Sequence, residues 1–260
     1  MATFEELVAE AQAAPVSGWD FSWLTARSST AGPLPWDYRA EVARHAADAA
    51  SLLDMGTGGG EWLARLTPHP RRTVATEAWP PNVPVAAQRL RQAGIWVVQD
   101  EGAADNLAED PSRGRLPFRD GAFTLVINKH EAFLAAEVSR VLAPGGTFVT
   151  QQVDTRTSDD LYDVLGLPVP EQAASWLPLA QRQLRDAGLT VRRAVAGEEV
   201  DRFADVAAII YYLRLVSWAV PGFTVERFTR RLRELHDTPA AWPVTVRQRR
   251  FLVVAAKPGV

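Results

Sequence analysis

A glycine-rich turn after a short apolar segment is the first feature whose residue types could bind a ligand. The segment reads SLLDMGTGGGEW, from Ser51 to Trp62, and its glycines at positions 56, 58, 59 and 60 follow the acid Asp54. Glycine loses more backbone freedom on folding than any other residue, so four of them in five positions need a physical reason. A ligand that passes close to the backbone would supply one.

Two phosphate-binding interpretations fail on the residues that follow these glycines. A nucleotide-hydrolase loop needs a lysine followed by serine or threonine, but Glu61 and Trp62 stand there. A dinucleotide fingerprint, G-x-G-x-x-G, needs its third glycine at position 61 or 63, which are Glu61 and Leu63. An acid in the first helical turn would also repel a pyrophosphate bound at the helix N-terminus.

The remaining interpretation is an acid followed by G-x-G-x-G. This pattern resembles motif I of the class I S-adenosylmethionine-dependent methyltransferases. The resemblance implies that the acid at the strand end receives the ammonium of the cofactor and that the glycines pass under its methionine and ribose. The implied cofactor-binding residues of this turn are Asp54, Gly56, Thr57, Gly58 and Gly60.

Acids after the next two predicted strands continue the resemblance. TVATE ends in Glu77, about 20 residues past the glycines, where nucleotide-binding sheets place a ribose-binding acid. The family implies that Glu77 holds both ribose hydroxyls. Ala78 and Trp79 follow, and we expect one of them to flank the adenine, with Ala78 assigned to the cofactor site. For the adenine amino group, Asp100, Glu101 and Asp105 all qualify, and we favour Asp100.

Two later segments carry the resemblance from about residue 45 to residue 153. LPFRDGAFTLVIN and EVSRVLAPGGTFV match later landmarks of the family, although Thr124 replaces a usual aspartate. The chain looks most like small bacterial methyltransferases of the "type 11" group. The implied cofactor is S-adenosyl-L-methionine and the implied product S-adenosyl-L-homocysteine, while the methyl acceptor is left open.

The hydrophobic pattern from Ser51 onward alternates between strands and helices. This alternation predicts an α/β fold, a Rossmann-like doubly wound sheet of about seven strands. Most strands would be parallel, with an antiparallel C-terminal strand. We expect helices at GEWLARLT after the glycines, an N-terminal helical cap with Thr3 as N-cap, and a helical insertion near the C-terminus. The predicted organisation is one domain, 1–260, divided into a cap (1–44), a cofactor-binding half (45–153) and substrate-side helices with C-terminal strands (154–260).

The stretch INKHEAF is where acceptor chemistry is expected, because ligands bind at the carboxyl ends of strands in open α/β sheets. Asn128 matches only the first residue of the Asn-Pro-Pro-Tyr motif of amino-methylating enzymes, and we assign it to the cofactor site. His130 and Glu131 are the candidate catalytic residues, since an imidazole can take a proton from a hydroxyl, amine or ring N–H. The alternative is that His130 anchors the loop and Glu131 begins a helix.

Aromatic residues outside the sheet are candidates for an acceptor pocket that excludes water. We assign substrate binding to Trp19, Trp23, Trp36, Tyr38, Tyr212 and Trp218. Helical spacing around Tyr212 makes plain burial an equal explanation for at least half of them.

Composition limits the function classes. The chain has 260 residues, no cysteine and a formal net charge of −3, so cysteine-based zinc sites and thiolate catalysis are excluded. Its four histidines show no metal-ligand spacing, and we expect no metal. Signal-peptide and membrane-spanning patterns are not found, so we expect a cytoplasmic enzyme without membrane association.

Three functions stay open at this stage. The first is methyl transfer to an O or N atom of a small, aromatic or heterocyclic metabolite. The second is RNA-base methylation, which would need Arg227 to Arg250 to form one basic face near the cofactor. The third is a cofactor-binding homologue without activity. We expect a monomer or a homodimer.

Overall fold

The computed structural model describes residues 2–16, 20–106, 114–157, 159–171 and 175–259. The strands are β1 Ser28–Ala31, β2 Ser51–Met55, β3 Arg72–Glu77, β4 Trp96–Gln99, β5 Phe123–Lys129, β6 Leu142–Val153, β7 Thr190–Phe203 and β8 Val244–Ala256. The α-helices are α1 Phe4–Ala13, α2 Tyr38–Ala46, α3 Asn82–Leu90, α4 Ala135–Val141, α5 Asp159–Val164, α6 Trp176–Asp186, α7 Val206–Leu215 and α8 Val225–His236. None of the helices in these ranges has the length and apolar character that crossing a membrane requires.

Within the described ranges, eight strands form one sheet, in the order β1-β7-β8-β6-β5-β2-β3-β4. The pairs β2·β3, β2·β5, β3·β4 and β5·β6 are parallel, and β8 runs antiparallel to β6. All five residues of β2 are buried, as expected for a strand covered on both faces. The predicted doubly wound α/β fold is therefore confirmed, with one strand more than expected.

The contacts divide the chain into two compact units. The larger unit comprises Pro35–Asp154, Ser175–Ala196 and Arg250–Val260. The smaller unit comprises Met1–Leu34, Thr155–Ala174 and Gly197–Arg249. The division predicted from the sequence, into a cap, a cofactor half and a substrate side, stays a prediction.

The core of the larger unit lies between the parallel strands and the helices α4 and α6. Strand residues Leu53, Val126 and Phe148 meet Val138 of α4 and Leu184 of α6, and all five are fully or almost fully buried. Long apolar side chains from adjacent strands thus hold the carboxyl ends of β2 and β5 side by side. This packing fixes the edge at which the site is built.

The smaller unit is centred on α7, in which nine of ten residues are buried. A helix that is apolar all round must be enclosed, and α1 and α8 contribute to the same core through Leu7 and Leu232. The predicted N-cap of α1 is confirmed, because Thr3 and Glu6 form a reciprocal capping box.

Two local expectations were wrong. The helix expected at GEWLARLT is a single 3-10 turn, Leu63–Arg65. Pro68 and Pro70 follow closely, and a proline disfavours helical backbone at the residue before it. The N-terminal cap, expected to be helical, also contains β1, which pairs antiparallel with β7 from Ser28↔Phe203 to Ala31↔Val200.

Candidate active site

Four carboxylates stand at or just beyond the carboxyl ends of four neighbouring parallel strands. Asp54 lies in β2 and Glu77 ends β3, while Asp100 follows β4 and Glu131 follows β5. Because these strands are adjacent and parallel, their carboxyl ends meet at one edge of the sheet. The acids predicted separately from the sequence are therefore brought together.

The glycine turn is fixed to β3 by hydrogen bonds. The Thr57 N–H donates to the Thr76 carbonyl at 2.9 Å, and the Gly58 N–H donates to Oε2 of Glu77 at 2.6 Å. Gly56, Gly58 and Gly60 have φ angles of 69°, 63° and 79°, in the left-handed region that favours glycine. The turn therefore needs glycine at three positions for backbone geometry alone.

The three glycines differ in the atoms that surround them, which indicates a different role for each. A Cβ on Gly58 would meet nothing within 4 Å, so this position faces open space. A Cβ on Gly60 would lie 3.0 Å from Leu90 of α3, so this glycine allows close packing of the helix. A Cβ on Gly56 would lie 2.6 Å from the side chain of Glu131, which crosses the turn at that point.

Glu77 is buried, and each of its two carboxylate oxygens accepts a backbone hydrogen bond. Besides the bond from Gly58, its Oε1 accepts the Trp79 N–H at 2.9 Å. A carboxylate oxygen has two lone pairs, so each oxygen can accept one further hydrogen bond. The side chain is positioned both to shape the turn and to bind donors of a ligand.

Burial raises the pKa of two of these acids to about 7. Burial, with a smaller contribution from the charge of Glu77, raises the pKa of Asp54 to about 7 against the opposing effects of Thr57 and Lys129. Burial, followed by the charges of Glu77 and Asp100, raises the pKa of Glu131 to about 7. Such a site favours a positively charged ligand, which would stabilise the ionised carboxylates. Among the described residues, no group of three or more His, Asp or Glu side chains could hold a metal ion.

Asp100 contributes to a small pocket beside the turn. The pocket is lined by Met55, Gly56, Thr76, Ala78, Asp100, Gly102, Leu116, Glu131 and Ala132. Within the described part of the chain, Oδ2 of Asp100 is buried without a hydrogen-bond partner. Burial raises the pKa of this carboxyl. Glu101, the neighbouring candidate, is exposed to solvent.

Comparison with known proteins identifies the kind of domain that contains this edge of the sheet. Residues 53–150, which contain the glycine turn and all four acids, match the family model described as a methyltransferase domain, of the type 11 group. They form a class I S-adenosylmethionine-dependent methyltransferase domain. No curated protein sequence matches the chain.

Solved structures share the fold of this methyltransferase domain. A candidate methyltransferase from Bacillus halodurans C-125 is 18% identical, with a TM-score of 0.55 over 85% of this chain and 98% of its own. YcgJ from Bacillus subtilis is 17% identical, with a TM-score of 0.55 over 86% and 99%. A protein of unknown function from Deinococcus radiodurans R1 is 16% identical, with a TM-score of 0.52 over 88% and 90%.

The cofactor of the methyltransferase domain is S-adenosylmethionine, and the residues at this edge fit its chemistry. Its ammonium and sulfonium are cationic, which suits the carboxylates of Asp54 and Glu131. Its adenine amino group is a donor, and the buried Oδ2 of Asp100 is an acceptor without a protein partner in the described chain. The open space over Gly58 allows a ligand to approach the backbone.

Asn128 belongs to a buried network that reaches Glu131, because Nε2 of Gln152 donates both to Oδ1 of Asn128 and, at 2.9 Å, to the Glu131 carbonyl. Asn128 is fully buried, and its Oδ1 accepts hydrogen bonds from the Thr150 hydroxyl at 2.9 Å and from Gln152 Nε2. Its carbonyl accepts the Tyr38 hydroxyl at 3.0 Å. These contacts join the ends of β5 and β6. Nδ2 of Asn128 is buried without a hydrogen-bond partner in the described chain, and the assignment of Asn128 to the cofactor site stays a prediction.

His130 follows β5 with a φ of 63°, the only non-glycine residue with positive φ in the described chain. Its N–H donates to the Gln151 carbonyl at 2.9 Å, and its Nε2 lies 3.1 Å from Nε2 of Gln151. The residue as a whole is exposed, while desolvation of the ring by nearby protein atoms and the charges of Arg250 and Lys129 lower the pKa of His130 below the ordinary value. This shift favours the neutral imidazole at pH 7.

The aromatic candidates fall into separate places. Trp36 and Tyr38 are buried in the larger unit, where the Tyr38 ring lies 5.2 Å from that of Trp62. Trp23 stacks on Tyr211 at 4.6 Å in the smaller unit. Two further candidates of that unit differ in burial, since Tyr212 is buried and Trp218 is 58% exposed. Trp19 lies outside the described residues.

Gln151 is a site residue that the sequence reasoning missed. It is 5% exposed and contacts both His130 and Trp36. The signal was available in TFVTQQV, where two glutamines end an apolar strand. Buried polar side chains at a carboxyl strand end need partners, and a site is where such partners gather.

Proposed function

We propose that this chain transfers a methyl group from S-adenosylmethionine to an O or N atom of a small, aromatic or heterocyclic metabolite. The observation that carries the proposal is the convergence of four carboxylates on a glycine turn at the carboxyl edge of the sheet. When bound, the cofactor supplies an electrophilic methyl group on a sulfonium.

The roles we propose for the cofactor-side residues follow from their surroundings. Asp54 would receive the ammonium, because it is buried and its charge needs a cationic partner. Glu77 would accept hydrogen bonds from the ribose hydroxyls through the lone pairs that its bonds from Gly58 and Trp79 do not use. Asp100 would accept the adenine amino group on Oδ2. Glu131 lies over Gly56, so we place it with the cofactor rather than with the acceptor.

Two observations support this class of acceptor and of methylated atom. The aromatic side chains of Trp36 and Tyr38 lie at the ends of β5 and β6, where they donate hydrogen bonds to Gln151 and to the Asn128 carbonyl. The chain has no cysteine that could activate a ring carbon covalently, so an oxygen or nitrogen lone pair is the simplest nucleophile. In-line placement of that lone pair would then be the main requirement.

The RNA alternative is weakened by the partners of the arginines it needs. Arg233 pairs with Glu5 at 2.6 Å, and Arg231 donates to the Val164 carbonyl at 2.8 Å. Arg247 pairs with Asp160, and Arg249 lies 3.3 Å from Glu198. Charges neutralised within the protein are less available to phosphates.

A screen with methyl-labelled cofactor tests the proposal. Purified protein is incubated with a metabolite mixture and total RNA, and labelled products are identified by mass spectrometry, with the Glu77→Ala variant as control. We expect a labelled low-molecular-weight product from the natural protein and a loss of at least tenfold in the variant. Label transferred only to RNA would contradict the small-molecule acceptor.

A further inference from the structure

A chain of hydrogen bonds connects Trp36, Gln151 and His130 in the larger unit. The indole N–H of Trp36 donates to Oε1 of Gln151 at 2.7 Å. The Nε2 of Gln151 lies 3.1 Å from Nε2 of His130. Trp36 is 8% exposed and Gln151 is 5% exposed, so both are enclosed by protein.

The chemistry of tryptophan fixes the direction of every bond in this chain. An indole nitrogen can only donate, so the atom of Gln151 that faces Trp36 must be its carbonyl oxygen. The other end of the Gln151 side chain is then the NH₂ group, which donates to His130. Since the Nε2 of His130 accepts, this nitrogen carries no proton, and a neutral ring must carry its proton on Nδ1.

The backbone reinforces the same arrangement. His130 adopts a left-handed conformation that costs about 1 kcal/mol or more in a non-glycine residue. Its N–H is held by the carbonyl of Gln151 at 2.9 Å, so one residue contacts both the backbone and the ring of His130. Within the described chain, no hydrogen bond engages Nδ1, and His130 is exposed.

We propose that Gln151, itself oriented by Trp36, is a positioning residue that fixes His130 as an Nδ1–H donor to an oxygen of the methyl acceptor. His130 would thus orient the acceptor rather than remove its proton. The positively charged side chains of Lys129 and Arg250 act on the same ring, so an acceptor with a carbonyl or oxyanion group beside the methylated atom fits this place. The acceptor part of this inference rests on the proposed function.

The protonation of His130 can be measured directly by NMR in the full-length protein. Long-range ¹H–¹⁵N correlation of the histidine rings distinguishes a pyridine-like nitrogen from a pyrrole-like one. At pH 7.5, without cofactor or acceptor, we expect a pyridine-like Nε2 and a pyrrole-like Nδ1 in His130. A protonated Nε2, or a ring that averages both forms, would overturn the proposal.

A glutamine-to-glutamate change tests the cause. In Gln151→Glu a carboxylate would face the ring and accept from it, so we expect Nε2 of His130 to become pyrrole-like. The matched control is Gln88→Glu on the exposed surface of α3, which should leave the ring unchanged. An unchanged ring in a folded Gln151→Glu variant would overturn the proposal, and the measurement on the natural protein decides alone if that variant does not fold.

Kinetics separate this proposal from the proposed function. With an acceptor found in the screen, Gln151→Glu should raise KM for the acceptor about tenfold and leave the Kd for S-adenosylmethionine within a factor of two. If the natural protein does not bind S-adenosylmethionine, the proposed function is refuted, but the measured tautomer of His130 is unaffected. An unchanged acceptor KM in Gln151→Glu would overturn the role of His130 as a donor.

Discussion

At the scale of one residue, the ionised carboxyl of Asp54 lowers the stability of the folded protein but is the form that binds a cationic ligand. The folded protein holds a proton on this carboxyl more tightly than the unfolded chain does, because burial raises the pKa to about 7. Between about pH 4 and pH 7 the folded state therefore binds more protons, and the free energy of unfolding falls as pH rises. The ionised form, present at higher pH, is the one that a cationic ligand requires.

Replacing Asp54 by Asn should separate these two effects. Above pH 7 we expect a higher Tm in the Asp54→Asn variant, because the variant no longer buries a charged carboxylate. The rise should be about 2–4 °C for each kcal/mol by which the free energy of unfolding increases. Its affinity for S-adenosylmethionine should fall at least about tenfold, or 1.4 kcal/mol. In the natural protein that affinity should rise from pH 6 to pH 8, and in the variant this rise should be smaller. Calorimetric titrations at three pH values check this, and equal affinity in both proteins at pH 8 would refute the role of Asp54.

Asp100 and Glu101 are neighbours that the structure separates by burial. Asp100→Ala should weaken binding of S-adenosylhomocysteine about tenfold, because a buried acceptor for the adenine would be lost. Glu101→Ala, the matched control at an exposed position, should change the Kd less than twofold. Titration of both variants decides between them, and the opposite order would assign the adenine contact to Glu101.

Several site residues could be predicted from the sequence because their positions follow from local order along the chain. Asp54 and Glu77 end apolar strands, and adjacent parallel strands must bring their ends together. Gln151 could not be placed in this way, since its partners Trp36 and His130 are 115 and 21 residues distant. Such contacts depend on the register between strands, which the pattern of apolar residues does not specify.

The glycine turn, at the scale of an element, has positions with different physical demands. Gly58 and Gly60 both have positive φ, but only Gly60 packs against α3. Gly94 provides a control, because its φ is 71° and a Cβ there would meet nothing within 4 Å.

Alanine at these three glycines should give three different outcomes. Gly94→Ala should lower the free energy of unfolding by about 1 kcal/mol through backbone strain alone. Gly60→Ala should lower it by about 1–3 kcal/mol more, because its Cβ would press on Leu90. Gly58→Ala should match Gly94→Ala in stability but weaken cofactor binding. Urea unfolding and calorimetry measure both properties, and equal cofactor affinity in Gly58→Ala and Gly94→Ala would contradict the placement of the ligand.

Secondary structure was predictable where one physical signal dominated. The apolar segment before the glycines forms β2 and the end of the landmark LPFRDGAFTLVIN forms β5, because continuous apolar runs there end at glycine or a charged residue. The helix expected after the glycines does not form, because Pro68 and Pro70 disfavour helical backbone at the residues before them. Strand β1 was missed because its four residues, Ser-Ser-Thr-Ala, have no apolar alternation and become a strand only by pairing with β7.

Charge at the scale of the whole molecule distinguishes the two classes of acceptor. The net charge is −3, and the exposed arginines of α8 have acidic or carbonyl partners within the protein. We expect no retention of RNA at about 0.1 M salt, and we expect Arg230→Glu, at a side chain that is 95% exposed, to leave methyl transfer unchanged. Filter binding over a salt series checks this. Salt-dependent binding that disappears in Arg230→Glu would favour an RNA acceptor.

The central claim is that the carboxyl edge of β2 to β5 holds S-adenosylmethionine, and calorimetric titration of this cofactor tests it most directly. Glu77→Ala removes a carboxylate that shapes the turn and faces the ligand, whereas Glu61→Ala removes a nearby exposed acid that pairs with Arg89. We predict one binding site per chain, at least about tenfold weaker affinity in Glu77→Ala, and unchanged affinity in Glu61→Ala. Equal affinity in the natural protein and Glu77→Ala would contradict the account.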